Sequence, residues 1–347
     1  MSDTEGALAP PEGVIPNFKH PQDVLKTINT VTQISSICLV TFFVFLRIYT
    51  KSRLHGLMER EDWLCIASWV FVILFCSNTL SMSYTGGGVH QWEVTKHDIV
   101  AYRKAVYRGF LIYGLTALLV KITLLLIFTR IFAIVPRAVI IIYFFIGFIT
   151  LYYLLAFVIK IRICTPIAGF WDPNLHPSCI NEYAFFLADS ILSLVTDVVV
   201  LVIPIPLLWM LDLPLGKKVK VVALLAAGGA AIGTSIARLL LVFSTGMSED
   251  TTISVLRLTL LASAEVSIGM ICASLPALNI FFRRYIGDRK ANGQNASGEE
   301  VELGNTGEGS GGRNGRSIMK WTYNKVGSKA RGLGRGKIRR EDHVLTA

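Results

Sequence analysis

Long apolar runs broken by short polar stretches dominate the chain, and they predict helices that cross a membrane. The runs are Ile28 to Tyr49, Trp63 to Tyr84, Val106 to Phe132, Ala138 to Ile159, Tyr183 to Leu211, Val219 to Phe243 and Ile253 to Phe282. A bilayer core needs roughly 20 consecutive apolar residues per helix, and each run meets that length. Helices are required because an isolated strand leaves its backbone groups unsatisfied in lipid, and the runs are about twice as long as a barrel strand. The expected fold is all-α, a polytopic bundle of seven transmembrane helices. The expected organisation is a short polar segment over 1–27, the membrane domain over 28–285 and a tail over 286–347.

Composition agrees. Only 17% of residues are charged and mean hydropathy is +0.54, against about 25% charged in ordinary soluble domains. The net charge of +10 is spread unevenly among loops, so it reads as topology and not as a nucleic-acid surface. Met1 to Pro21 is polar and proline-rich and lacks an apolar core for cleavage. The first membrane helix is therefore expected to serve as the targeting signal. Arg47, Lys51, Arg53 and Arg60 lie between helices one and two, Arg130 and Arg137 between three and four, Lys217, Lys218 and Lys220 between five and six, and Arg283, Arg284, Arg289 and Lys290 follow helix seven. The opposite side carries the smaller share, chiefly Lys96, Arg103, Lys104, Arg108, Lys160 and Arg162. The positive-inside rule then puts the N-terminus outside and the C-terminus inside, in the plasma membrane or an endomembrane.

The tail is poor in large apolar residues and is expected to be disordered. An acidic cluster, Glu299, Glu300, Glu302 and Glu308, precedes a basic stretch from Arg313 to Arg340 that holds Trp321 and Tyr323. Such a stretch is either a solvated tail or an adhesion site for anionic lipid head groups, and the two are compatible.

Cys164 and Cys179 share one loop, which this topology puts outside, where disulfides persist. A Cys164–Cys179 disulfide is expected. Two unpaired thiols are the alternative, and zinc is disfavoured because only His176 lies near. Cys38, Cys65, Cys76 and Cys272 fall within helices and read as small buried hydrophobes.

Intramembrane charge is costly and commonly faces a partner or a cavity. At 1.5 Å per residue, Lys121 lies about 22 Å below the outer end of helix three and Asp197 about 21 Å below that of helix five. Glu265 lies about 18 Å down helix seven by the same count. These three are expected to form a buried cluster, with Asp189 and Arg238 as a second pair in the outer third. The cluster either fixes helix register or lines a polar pocket for a ligand, ion or proton. Pro204 and Pro206 are expected to kink or end helix five. Gly229 and Gly233 form a small-xxx-small pair expected to pack closely within the bundle. Gly86-Gly87-Gly88 lacks the lysine of a phosphate loop, and the stretch from Gly86 to Tyr102 is expected to be a solvated loop, with a metal or ligand mouth at His90, Trp92, Glu93, His97 and Asp98 as the alternative. No motif for a metal ion, a nucleotide or a catalytic triad is present, and no reaction is indicated.

Taken in order, these features resemble a known family. The motifs are Arg47-Ile-Tyr-Thr, Glu61-Asp62-Trp63-Leu64, Gly86-Gly-Gly-Val-His90, and Tyr113 through Lys121 to Arg130-Ile-Phe132. They continue with Cys164-x-Pro166, Trp171 and Cys179, then Asp197 with Pro204-Ile-Pro206-Leu-Leu-Trp209, and end with Glu265, Gly269, Cys272 and Pro276. The set, over about residues 25 to 285, resembles the fungal rhodopsin-domain integral membrane proteins related to the satratoxin-cluster membrane protein. The resemblance implies seven helices with an external N-terminus, and relatives that are receptor-like or lie in secondary-metabolite gene clusters. It does not imply retinal, because helix seven has no lysine for a Schiff base, and no cofactor is expected. The segment before helix one has no cysteine, unlike the receptor subgroup with a cysteine-rich outer domain. Asp-Arg after helix three and Asn-Pro-x-x-Tyr in helix seven, found in animal G-protein-coupled receptors, are also missing. The reading taken forward is a receptor-like protein binding a small, lipophilic ligand near Lys121, Asp189, Asp197, Arg238 and Glu265. A transporter or channel, and an intramembrane enzyme or pathway accessory, are the alternatives.

Overall fold

A computed structural model of the chain places a helix over each apolar run. It describes residues 6–54, 58–172, 175, 178–206, 215–245 and 250–302, with side chains up to 277 except at 54, 182, 185, 215–224 and 245. The helices are α1 (Lys26–Leu54), α2 (Arg60–Tyr84), α3 (Lys96–Ile131), α4 (Pro136–Ile161), α5 (Glu182–Val202), α6 (Leu215–Thr245) and α7 (Thr251–Glu302). Seven of them contain stretches long and apolar enough to span a bilayer. Residues 1–292 make one compact unit and 293–347 a second. In the second unit the described part is helical backbone from 293 to 302. The helix thus continues past Gly287, where the tail was expected to begin. The basic stretch from Arg313 to Arg340 lies outside the described residues, as do Leu207 to Leu211 of helix five.

Burial ranks the helices. In α3 and α7, 61% and 56% of the apolar span is buried, against 22% in α4. The long helices α3 and α7 therefore form the centre. Helix α4 explains itself by spacing. Ala138, Ile142, Ile149, Tyr153 and Lys160 are buried, while Ile141, Phe144, Phe148, Leu151 and Leu155 are exposed. Both sets repeat at helical spacing on opposite faces. So wide an apolar face turned outward suits contact with lipid rather than water.

Proline acts as expected in α5. The helix ends at Val202, a turn falls at Ile203, and 204–206 resume a helical turn. Proline has no N–H and its ring strikes the carbonyl four residues back, so the ladder cannot run through Pro204.

The stretch after α2 is not a solvated loop. Gly87, Gly88, Val89, Gln91 and Val94 are buried, and α3 begins at Lys96. The carbonyl of Gly88 accepts the N–H groups of Val24 and Leu25 at 3.0 and 2.9 Å, and Val94 accepts from Ala7 at 2.9 Å. Gly88 has φ +92°, and a Cβ there would lie 2.5 Å from the Lys26 nitrogen. Only glycine allows that approach. The same loop holds the start of α7. His90 Nδ1 is 2.7 Å from Asp250 Oδ2, and the hydroxyl of Thr252 donates to the Val89 carbonyl at 2.8 Å.

Cys164 and Cys179 are disulfide-bonded. They face each other in a small antiparallel pair, Cys164–Thr165 (β1) with Ser178–Cys179 (β2). A short 3-10 turn over Ile167–Phe170 packs its Phe170 against Tyr107 and Phe110 of α3.

The small-residue expectation is corrected in detail. A Cβ on Gly229 or Gly233 would meet nothing within 4 Å, whereas one on Gly228 would lie 2.7 Å from Leu201 Cδ1 of α5. The close approach of α5 and α6 thus uses Gly228, one residue from the expected pair and on a different helical face.

Candidate functional site: a buried charge network beneath a cavity

Five helices contribute polar side chains to one buried cluster. On α5 these positions are Asp189, Ser193, Thr196 and Asp197, with Ser193 four residues after Asp189 and Thr196 and Asp197 three and four after Ser193, so that they lie along one stripe. Tyr113 and Lys121 from α3, Ser235 and Arg238 from α6, and Glu265 from α7 complete the set. Lys160 and Tyr153 enter from α4.

Lys121 Nζ sits 2.9 Å from Asp197 Oδ1 and 4.0 Å from Glu265 Oε1. It also donates to Thr196 Oγ1 at 2.7 Å and Tyr153 Oη at 3.0 Å. Asp197 Oδ2 accepts from the Ser235 hydroxyl at 2.7 Å. Glu265 accepts from Ser193 Oγ at 2.9 Å and Tyr113 Oη at 3.0 Å, and lies 3.1 Å from Arg238 Nη2. The cluster of Lys121, Asp197 and Glu265 forms as the depth count implied.

The expected pairing of Asp189 with Arg238 is replaced. Asp189 Oδ1 pairs with Lys160 Nζ at 2.9 Å, and Arg238 pairs with Glu265. Tyr113 links the two pairs. Its ring lies 5.7 Å from Lys160 Nζ and 5.1 Å from the Arg238 guanidinium, and its hydroxyl accepts from Arg238 Nη1. Within this network three cations, Lys121, Lys160 and Arg238, face three carboxylates, Asp189, Asp197 and Glu265. Buried ions need such compensation, because desolvating an unpaired charge costs several kcal/mol.

Sequence reading missed Lys160, Tyr113, Tyr153, Ser193, Thr196 and Ser235 as members. The α5 hydroxyls were legible, since Ser193 and Thr196 continue the helical stripe of Asp189 and Asp197. Lys160 was not, because a lysine in the last turn of an apolar run looks like any flanking charge.

A cavity adjoins this network on the side of the disulfide hairpin. Asp189, Ser190, Arg238 and Tyr113 line it together with Phe75, Met82, Val106, Phe110, Phe186, Val255, Leu258 and Ala262. It offers about 50 Å³ to the centres of water-sized atoms. Phe110 stacks edge-on to Phe186 and Phe170, so the hairpin end forms part of its surroundings. A second cavity of about 40 Å³ is bordered by Asp197 with Leu124, Phe128, Val200, Leu201, Leu225, Gly228, Ala231, Gly269 and Cys272. Asp197 is its single ionisable lining residue apart from the Cys272 thiol.

A further ionic cluster occupies the opposite end of α1, α2 and α3. Arg47 and Asp62 pair at 2.8 Å and are only 3% and 2% exposed. Arg47 Nη1 also donates to the Ala273 carbonyl of α7 at 2.6 Å. Lys51 lies 3.4 Å from Glu61, and Arg130 pairs with Glu59 and Glu61. These contacts join Arg47 of α1, Glu61 and Asp62 of α2 and Arg130 of α3, which lie far apart in the sequence, into one cluster.

Fold and site together define a polytopic seven-helix membrane protein with a charge-balanced core and a small cavity beside it. The chain belongs to the fungal rhodopsin domain family, whose model matches residues 46–284. It is 29% identical over 211 residues to a SAT4 family membrane protein of Emericella nidulans, covering 60% of this chain and 53% of that protein. It is 24% identical over 286 residues to fugralins biosynthesis cluster protein 2 of Gibberella zeae, covering 80% and 70%. It is also 24% identical over 286 residues to receptor GIN3 of Arthrobotrys oligospora, covering 79% and 66%. The match thus spans about half the length of the SAT4 family relative. No solved structure matches the chain.

Proposed function

We propose that this membrane protein is receptor-like and binds a small lipophilic ligand in the cavity lined by Asp189, Tyr113 and Arg238. One observation carries the reading. The cavity wall is largely apolar, yet it includes two charged residues, Asp189 and Arg238, and Arg238 is tied through Glu265 to the core of the bundle. A ligand there touches groups that connect five helices, so occupancy can change how those helices pack.

Transport is less well supported. The second cavity, bordered by Asp197, has an otherwise apolar wall, so the charges do not continue as a polar path along it. A relative named as a receptor agrees with the receptor reading. Relatives named for biosynthetic clusters favour a second reading, an accessory of a secondary-metabolite pathway, in which the same cavity holds a pathway compound.

The N-terminal segment, the α2–α3 loop and the start of α7 are joined to one another at one end of the bundle. The α4–α5 hairpin packs on α3 residues near that end. On this reading the disulfide-bearing end is the outer one, as disulfides persist outside the cytosol, and the basic tail from Arg313 to Arg340 meets anionic lipid inside.

Thermal stability tests the reading. Lipophilic extract fractions should raise the melting temperature of the purified protein saturably, because a ligand that binds only the folded state stabilises it. Ala262→Leu, which fills the cavity, should abolish the rise. A rise that survives in the variant places the ligand elsewhere.

A further inference from the structure

Phe186, Asp189 and Ser190 of α5 share one helical face, at i, i+3 and i+4, and all three line the cavity. The two polar members keep hydrogen-bonding capacity that the protein does not use. Lys160 meets Asp189 at Oδ1, and Oδ2 has no partner among the described residues. Asp189 lies deep within the bundle, yet 20% of its side chain is open. That open part borders the cavity it lines.

Ser190 is only 4% exposed. Ser68, Thr259 and Ser263 turn their hydroxyls back to the carbonyl four residues earlier. Ser190 makes no such bond, and among the described residues its hydroxyl has no partner. Unlike the Ser267 hydroxyl, which is sealed in protein, it keeps open surface. Buried polar groups are ordinarily paired. An acceptor and a hydroxyl therefore stand on adjacent residues of one cavity wall, both without a protein partner.

Charge selects among ligands. The network already balances three cations against three carboxylates. A carboxylate would bring a second anion against Asp189, and an ammonium a further cation beside Lys160, each at low dielectric. A neutral group that both donates and accepts meets the two side chains, and a hydroxyl is the smallest such group. A ketone or ether lacks the hydrogen that Asp189 needs. Size agrees. About 50 Å³ of space for water-sized centres holds roughly three to five waters at 10–15 Å³ each. That suits a hydroxyl-bearing head, and the Phe, Met, Val and Leu side chains of the wall suit the hydrocarbon attached to it.

We infer that the cavity takes a neutral alcohol with an apolar chain, whose hydroxyl donates to Asp189 Oδ2 and accepts from Ser190 Oγ. This rests on the ligand-binding reading of the same cavity.

The test uses the full chain in detergent micelles and four probes of equal size: 1-hexanol, methyl pentyl ether, heptane and hexylamine. Melting temperature is followed against mole fraction of probe in the micelle. Each curve is read against Ala262→Leu, whose cavity is filled, which cancels the effect of the probe on the detergent. Hexanol should stabilise saturably, with a half-saturating concentration about tenfold or more below those of the ether and heptane, as one hydrogen bond to a charged group implies. Hexylamine, protonated at neutral pH, should give no saturable rise. Ser190→Ala removes a hydroxyl that holds nothing in the fold. It should weaken hexanol about fivefold and leave heptane unchanged. Equal stabilisation by hexanol, ether and heptane, lost in Ala262→Leu, overturns the alcohol inference and leaves the ligand site standing. Tightest binding by hexylamine overturns the charge argument, and unchanged hexanol binding in Ser190→Ala overturns the two-point contact. No saturable rise with any probe overturns the inference, and the ligand-site reading is then judged separately by the extract titration. If Ala262→Leu does not fold, the four-probe comparison on the unaltered protein decides alone.

Discussion

Lys121 and Asp197 meet at 2.9 Å, each in contact with the hydroxyl of a neighbouring side chain. Removing one partner leaves the other charged and buried. Lys121→Met or Asp197→Asn alone should therefore destabilise by about 3–5 kcal/mol. The double variant should lose markedly less than the sum, because neither unpaired charge remains. Denaturant or thermal unfolding of the four proteins in one detergent measures this. Simple additivity would show that the two side chains do not interact energetically.

The opposite end offers a contrast of burial. Asp62→Asn strips the buried Arg47 of its carboxylate and should cost about 3 kcal/mol. Arg130, 45% exposed beside Glu59 and Glu61, should lose under about 1 kcal/mol on change to Ala. Melting temperatures of the two variants should thus separate clearly, and equal losses would contradict the assignment of Arg47–Asp62 as the anchoring pair.

Glycine positions separate by environment as well. Gly88→Ala places a Cβ against the Lys26 backbone at φ +92° and should destabilise by about 2 kcal/mol or more. Gly233→Ala meets empty space and should be neutral or stabilise by up to about 1 kcal/mol through helix propensity. A strongly destabilised Gly233→Ala would mean that this face is packed in the membrane.

The disulfide closes a separation of 15 residues. Its reduction should lower stability by about 3 kcal/mol on the chain-entropy account, and should loosen Phe170 from α3. The same bond bears on topology. An epitope placed before Gln22 should be accessible on intact cells, and one at the C-terminus only after permeabilisation. The reverse pattern would refute the outward hairpin end.

Much of this architecture was legible before any coordinates. Length and apolarity specify the helices, and counting rise per residue put Lys121, Asp197 and Glu265 at one depth. Depth does not report rotation about a helix axis. Arg238 and Asp189 share a level but take Glu265 and Lys160 as partners, an outcome set by which faces α4 and α6 present. The start of α3 at Lys96 was hidden for a different reason. Its first turns carry Lys96, His97, Asp98, Arg103 and Lys104, which read as loop by hydropathy, although they form helix behind Thr95, whose hydroxyl caps the Asp98 N–H at 3.1 Å. Glycine content alone likewise could not separate Gly228, which touches α5, from Gly229 and Gly233, which do not.

The central claim is that the cavity beside Arg238 is where a small ligand sits. The most direct measurement is retention. Purified wild type and Ala262→Leu, matched for folded protein, are incubated with one lipophilic extract, washed, and their bound small molecules compared by mass spectrometry. A species held by wild type and absent from the variant is the expected result. The same species retained by both proteins would contradict the claim, as would none retained by either.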